Sequence, residues 1–288
     1  MRYWRIYKRF VKKNIMVLDS LSRFIKLDIF FSALKTGGFK GGINYLITRD
    51  KGLLEEMFST LDLAMKFVIS LQTSFGDIQW AKENNRILDD SLITGCSSIY
   101  KSLDCAIPIY KILGHETKDL LEAKELLKRC LIENAERFDR GWESKSRYSM
   151  DWYYPVMCGV VKGSKAKGRL RSRWGEFIVK GLGCKCVEEE PWVTIAESAE
   201  LVIALVSVGE INKAKELFDW LHQWRDPKDN LYWTGYVYTD DKYWPVEKPT
   251  WTAGAILLAA DSLFAFTDGS KLFLQEWGGV DYEKTEQS

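Results

Sequence analysis

Residues 194–208 read Thr-Ile-Ala-Glu-Ser-Ala-Glu-Leu-Val-Ile-Ala-Leu-Val-Ser-Val, a helix-length run that is apolar nearly all round. Such a helix has no polar face to offer water, so neighbours must cover it on most sides. Residues 250–266 have the same character, whereas 117–136 and 210–223 carry a clear charged face. The economical packing of the two kinds is an inner ring of apolar helices wrapped by an outer ring of amphipathic ones. The expected fold is therefore all-α: an α/α-toroid of repeated helical hairpins.

Outward from that stretch, Leu53, Leu54, Met57, Leu61, Ala64, Met65, Val68 and Leu71 recur at three- and four-residue steps and predict a long amphipathic helix from residue 52. Further helices are expected over about 92–113, 152–161 and 169–180, with strand-like alternation only around Leu231–Tyr238. Gly, Pro, Asp and Asn punctuate the connections. Gln72 to Trp80 and Gln223 to Trp233 share one order of parts, helix, Gln, acidic turn, Trp, loop, apolar helix, which reads as an internal repeat. The expected organisation is a basic, variable segment over 1–50, the toroid over 51–270 and a tail over 271–288.

The chain has 288 residues and 46% hydrophobic content, enough to bury a full core. Its 41 Lys and Arg nearly balance 40 Asp and Glu, so the whole molecule presents no field for nucleic acid. Residues 1–50 differ, with eleven basic residues against three Asp. Within residues 1–13, Arg2, Arg5, Lys8, Arg9, Lys12 and Lys13 interleave with aromatic residues. That pattern suits a helix covering the core, or alternatively weak docking on a membrane surface or an acidic protein. No run is long and apolar enough for a transmembrane segment, and no secretory signal is evident. Six cysteines without scaffold spacing fit a reducing, cytoplasmic setting. With only His115 and His222 beside them, no zinc set is expected, and no Gly-rich loop matches a nucleotide fingerprint. Neither metal nor cofactor is assigned.

The conspicuous segments lie at or just before helix starts: Leu88–Ser91, Arg147–Pro155, Glu190–Thr194 and Trp244–Trp251. Parallel inner helices would gather them on one rim. Carboxylates among indole and phenol rings suit a polyhydroxylated ligand, because rings stack on sugar faces while acids and phenols bind hydroxyls. Apolar surroundings also raise a carboxyl pKa, as a general acid requires. Asp151 and Glu247 are the candidate catalytic pair. Asp90, Glu143, Arg147, Tyr148, Trp152, Tyr153, Trp192, Trp244 and Trp251 are the candidate substrate contacts. Asp90 and Asp151 also suit helix N-caps, and Thr194 with Glu197 has capping-box spacing.

Over residues 52–266 the chain resembles a group of bacterial proteins labelled prenyltransferase or prenyltransferase-like. These sit within the terpenoid cyclase, protein prenyltransferase and six-hairpin glycosidase type of toroid. The resemblance rests on Asp77–Ala81, Leu92–Tyr100, Lys145–Pro155, Gly181–Val187, Pro191–Thr194, Trp244–Glu247 and Thr250–Ala253. It implies the toroid. The Asp, Cys and His zinc set of protein prenyltransferases and the Asp-x-Asp-Asp acid motif of squalene-type cyclases are both missing. Relatives carry further N-terminal hairpins, so a shortened ring, open at one rim, is also expected. The leading function is a carbohydrate-active, six-hairpin glycosidase-like protein acting on a small molecule or glycan. The alternatives are an isoprenoid enzyme of the prenyltransferase or terpene cyclase kind, with Lys145 or Arg147 on a diphosphate, and a non-catalytic binding protein.

Overall fold

A computed structural model describes residues 37–274, except 81, 84, 85, 88 and 142. The expectations for residues 1–36, docking through residues 1–13 included, and for 275–288 lie outside the described residues. Helices are α1 (Gly37–Thr48), α2 (Lys51–Ser70), α3 (Ile93–Ile112), α4 (Lys118–Glu133), α5 (Ser149–Met157), α6 (Gly163–Ser172), α7 (Ile195–Ser207), α8 (Ile211–Leu221) and α9 (Thr250–Phe264). The protein is an all-α fold with small antiparallel sheets at its loops.

The two kinds of helix behave as their composition dictates. α3 is buried from Gly95 to Tyr110 apart from Ile99, and α7 buries residues on every side of its axis. α2 buries only the stripe Leu54, Leu61, Met65 and Val68, and α8 only Ala214, Leu217, Phe218 and Leu221. Five helices pack in sequence, α1 on α3, α3 on α5, α5 on α7 and α7 on α9. The turn Asp268–Ser270 then packs on both α9 and α1, closing a circuit of contacts. The amphipathic helices cover it: α2 on α1 and α3, α4 on α3, α6 on α5, and α8 on α7 and α9.

Several boundaries differ from expectation. The helices expected over 152–161 and 169–180 lie at 149–157 and 163–172, because Gly159 and Gly163, both at positive φ, break the chain between them. Strand structure is also wider than the single run expected near 231–238. β1 (Lys82–Glu83) pairs with β2 (Arg86–Ile87), and β3 (Ile178–Val179), β4 (Gly183–Lys185), β5 (Trp192–Thr194), β6 (Gly235–Val237) and β7 (Lys242–Tyr243) form one antiparallel sheet. Strands of two or three residues are too short for alternation to register in the sequence. Both copies of the internal repeat form a turn closed by one antiparallel bridge, Gln72 to Ile78 and Arg225 to Tyr232. In each copy the glutamine amide donates to backbone carbonyls of a neighbouring segment, Gln72 to Ala123 and Gln223 to Gly181.

α5 carries Pro155 in its interior, which removes the N–H that would bond the Asp151 carbonyl one turn earlier. Arg169 of α6 supplies the donors instead, through Nη2 to Asp151 O at 2.8 Å and Nε to Trp152 O at 2.7 Å. Trp152 returns a bond from Nε1 to the Arg169 carbonyl at 2.6 Å. Arg169→Met leaves the buried Asp151 carbonyl without a partner and Trp152 O with only its helical one, and is expected to lower unfolding free energy by about 1–3 kcal/mol in urea titrations. Arg169→Lys should restore less than half of that loss, since an ammonium lacks the planar fork.

Candidate functional site

The four segments that precede α3, α5, α7 and α9 are tied to one another in order. Asp90, ahead of α3, accepts from Arg140 N at 2.9 Å and Gly141 N at 2.5 Å, both ahead of α5, while Ser91 O accepts from Asp139 N at 3.1 Å. Tyr148, at the start of α5, bridges Val187, and Ser149 N donates to Cys186 O at 3.0 Å. Ahead of α7, β5 pairs with β6 in the register Trp192 to Val237, Val193 to Tyr236 and Thr194 to Gly235. Ile195 N then donates to Thr234 O, ahead of α9, at 3.1 Å. The helix-entry loops thus form one continuous rim.

Asp77 anchors the α3 end of this rim. Fully buried, its carboxylate accepts from Thr73 and Ser91 hydroxyls and from the guanidinium groups of Arg137 and Arg140. Burial alone would raise its pKa, but the bonds from Arg137, Thr73 and Ser91 outweigh it and hold Asp77 below the usual carboxylate range.

The residues singled out from the sequence divide by environment. Asp151 lies in the first turn of α5, 5% exposed, and is not the cap, which is Tyr148. Burial and then the charge of Asp139 push Asp151 up to about 6, against the pull of Arg169 and Arg173. Glu247 is exposed and accepts from Thr234 Oγ1 at 3.3 Å, so the desolvation expected of both carboxylates is found at Asp151 and not at Glu247. Asp90 clamps backbone N–H groups of the adjacent loop, and the N-cap of α3 is Leu92. Glu143 is exposed and lies 3.9 Å from Arg147, which also pairs with Glu189. A diphosphate would have to displace that pair.

Trp152 is 2% exposed, stacks on Phe177 at 5.3 Å between ring centroids, and fills the core between α5 and α6. Tyr153 is fully buried. Tyr148 and Trp192 are partly buried, while Trp244 and Trp251 are the exposed aromatic residues of the α9 entry. The capping box expected at Thr194 and Glu197 does not form. Thr194 caps α7 without a side-chain bond, its Oγ1 is buried and unpartnered, and Glu197 bonds instead with the Cys186 thiol.

Two acidic features were not singled out from the sequence. Glu200 of α7 accepts from Tyr153 Oη at 2.5 Å and Tyr154 Oη at 3.0 Å. Burial pushes its carboxyl up to about 7, the charge of Glu197 adds to this, and the two hydroxyls oppose it. The available signal was two carboxylates three residues apart in an otherwise apolar helix. Asp139, at φ 58°, was the other: its Oδ1 is buried and unpartnered beside Asp151, and nothing in its local pattern marks it. Among the described residues no cluster of three or more His, Cys, Asp or Glu side chains could hold a metal ion.

Carboxyl groups that stay protonated near neutrality are the proton donors of glycoside chemistry. The sequence points the same way. The chain is similar to a glycosidase. It is 41% identical over 228 residues to the MMP endo-(1,4)-3-O-methyl-alpha-D-mannosidase of Mycolicibacterium hassiacum, over 79% of this chain and 62% of that enzyme. The chain therefore spans less than two thirds of its relative's length. No family model matches it.

The raised pKa of Asp151 fixes the sign of a pH effect. Its folded value, about 6, lies above the unfolded 3.8, so the folded state favours the proton. The stability this group contributes is greatest below the unfolded value, falls as pH rises between the two, and leaves a constant penalty above about 6. Asp151→Asn removes a penalty on the order of 2–3 kcal/mol that exists only in the ionised form. Relative to wild type, the variant should gain stability between pH 4 and pH 8 in chemical denaturation. An unchanged difference would show that Asp151 ionises without cost in the fold.

Proposed function

We propose that the chain is a glycoside-cleaving α/α-toroid in which Asp151 is the general acid, acting on α-(1→4)-linked, 3-O-methylated mannose oligomers of the kind its relative's name describes. The alternation of enclosed and covering helices, with helix-entry loops on one rim, supports the toroid. The observation that carries the reaction class is a buried carboxyl at that rim whose pKa of about 6 keeps a proton available near neutrality. Asp139 and Glu197 are the carboxylates available as its base or nucleophile, Glu247 at the exposed α9 entry is left to bind sugar hydroxyls, and the Glu200 carboxyl between two tyrosine hydroxyls positions the α5–α7 seam beneath the rim. Six cysteines without disulfides support a reducing compartment such as the cytoplasm. No single helix among the described residues is long and apolar enough to cross a membrane.

Hydrolysis of methylated and unmethylated mannose oligomers, followed by product chromatography, tests the reading. Asp151→Asn should lower kcat by about 10²–10⁴-fold and abolish the decline of activity above about pH 6 that deprotonation of this acid produces. Glu197→Gln and Asp139→Asn, assayed in parallel, identify the second carboxylate as the one whose loss matches that of Asp151, while Glu247→Gln should raise KM and leave kcat within a few-fold; a kcat loss matching that of Asp151 would place Glu247 at the cleaved bond instead. Wild-type kcat and pH profile in Asp151→Asn would remove it from the mechanism, and no turnover of any glycan would remove the reaction class.

A further inference from the structure

The loop entering α9 keeps large apolar groups in water. Trp244 is 57% exposed, Val246 78% and Trp251 55%, all within one loop and the first helical turn. An unpacked tryptophan in a mobile loop would lose much entropy on binding, but this one is braced. Trp192 Nε1 donates to the Trp244 carbonyl at 2.8 Å, and the two indoles meet edge to face at 4.9 Å. Beneath them Gly235 comes so close that a Cβ there would lie 2.3 Å from Trp192 Nε1, so only glycine allows the ring to lie across β6. The loop is thus held by β5, β6 and β7.

The charges around this ledge restrict its ligand. Lys248, the cation nearest in sequence, is taken up by Asp226 at 2.8 Å and Asp229 at 2.5 Å, and lies over the Trp233 ring at 4.5 Å. Glu247, exposed between Trp244 and Trp251, offers a carboxylate to hydroxyl donors. The exposed Glu247 carboxylate repels an anion, and a bare hydrocarbon chain leaves that carboxylate unused. A neutral ligand with apolar faces and hydroxyl edges fits both features.

Resting on the glycoside reading above, we infer that Trp244, Val246 and Trp251 form a distal subsite that holds sugar units of a neutral oligosaccharide away from the bond being cleaved. Glu247 accepts from their hydroxyls there. The braced indoles make affinity grow with chain length, while cleavage itself belongs to the buried carboxyls.

Binding of the mannose oligomers used to assay hydrolysis, from two to eight units, is measured by calorimetry for wild type, W244A, W251A and the double variant, with sedimentation on the same samples. Wild-type affinity should rise about tenfold or more between the shortest and longest oligomer, and the ratio should fall toward one in the double variant. W251A, which removes an exposed ring from a helix start, keeps the test readable if W244A does not fold. Turnover with length-independent affinity, or a length dependence that survives both substitutions, overturns the subsite and leaves the reaction standing. Absence of both binding and turnover overturns both. A wild-type dimer dissolved by either substitution, or saturable binding of geranylgeranyl diphosphate in place of oligomers, would assign the ledge to another occupant and overturn it.

Discussion

A helix that is apolar on every side cannot stand at a surface, and the architecture follows from having to enclose such helices. Each fully buried Leu, Ile or Val side chain contributes about 1.5–3 kcal/mol relative to exposure, so stripping the cover from one face of α3 or α7 would remove more than the net stability of an ordinary domain. α2, α4, α6 and α8 supply that cover, each with one apolar stripe. Alternation along the chain, one enclosed helix and then one covering helix, sends every enclosed helix in the same direction. Their N-termini and entry loops meet at one side as a result.

Enclosure also decides what the acids at that side can do. Asp77, Asp90, Asp151 and Glu200 are the same chemistry in four surroundings. Asp77 sits among guanidinium and hydroxyl donors, is held well ionised, and serves as a clamp. Asp90 satisfies backbone N–H groups of the next loop and fastens α3's entry to α5's. Asp151 and Glu200 receive too little compensation for the water they lose, so each keeps its proton to about 6 and about 7. The clamps tie the loops of the rim together, and the under-compensated carboxyls hold protons there near neutrality. Both depend on the enclosed helices bringing loops from four parts of the chain together.

Much of this was legible in the residues, and the limits are instructive. The segments that became the rim were visible because aromatic, acidic and turn-forming residues cluster just before helix starts. Their division of labour was not. Asp151 and Glu247 stand in similar aromatic company in the sequence, yet one is buried and the other exposed. Trp152 and Trp251 each open a helix, but Trp152 fills the core against Phe177 and Trp251 stands in solvent. The capping-box spacing of Thr194 and Glu197 offered a local role for Glu197 and marked nothing at Glu200. In the fold the local bond is absent, and the glutamates face Cys186 and the tyrosines of α5.

The amino-acid order by itself determined most of the helices beyond residue 50 and the contrast between the apolar runs 194–208 and 250–266 and the charged-faced 117–136 and 210–223, because burial follows side-chain polarity and helical period, which are properties of neighbours in sequence. The helix at Gly37–Thr48 and the covering place of Lys51–Ser70 were not legible there. Which carboxyl is paired, which is stranded, and which indole is left in water were decided only by the tertiary structure. Those outcomes depend on distances between residues forty or more positions apart, such as Tyr153 to Glu200 and Trp192 to Trp244. Desolvation and hydrogen bonding act through space, and no local pattern carries them.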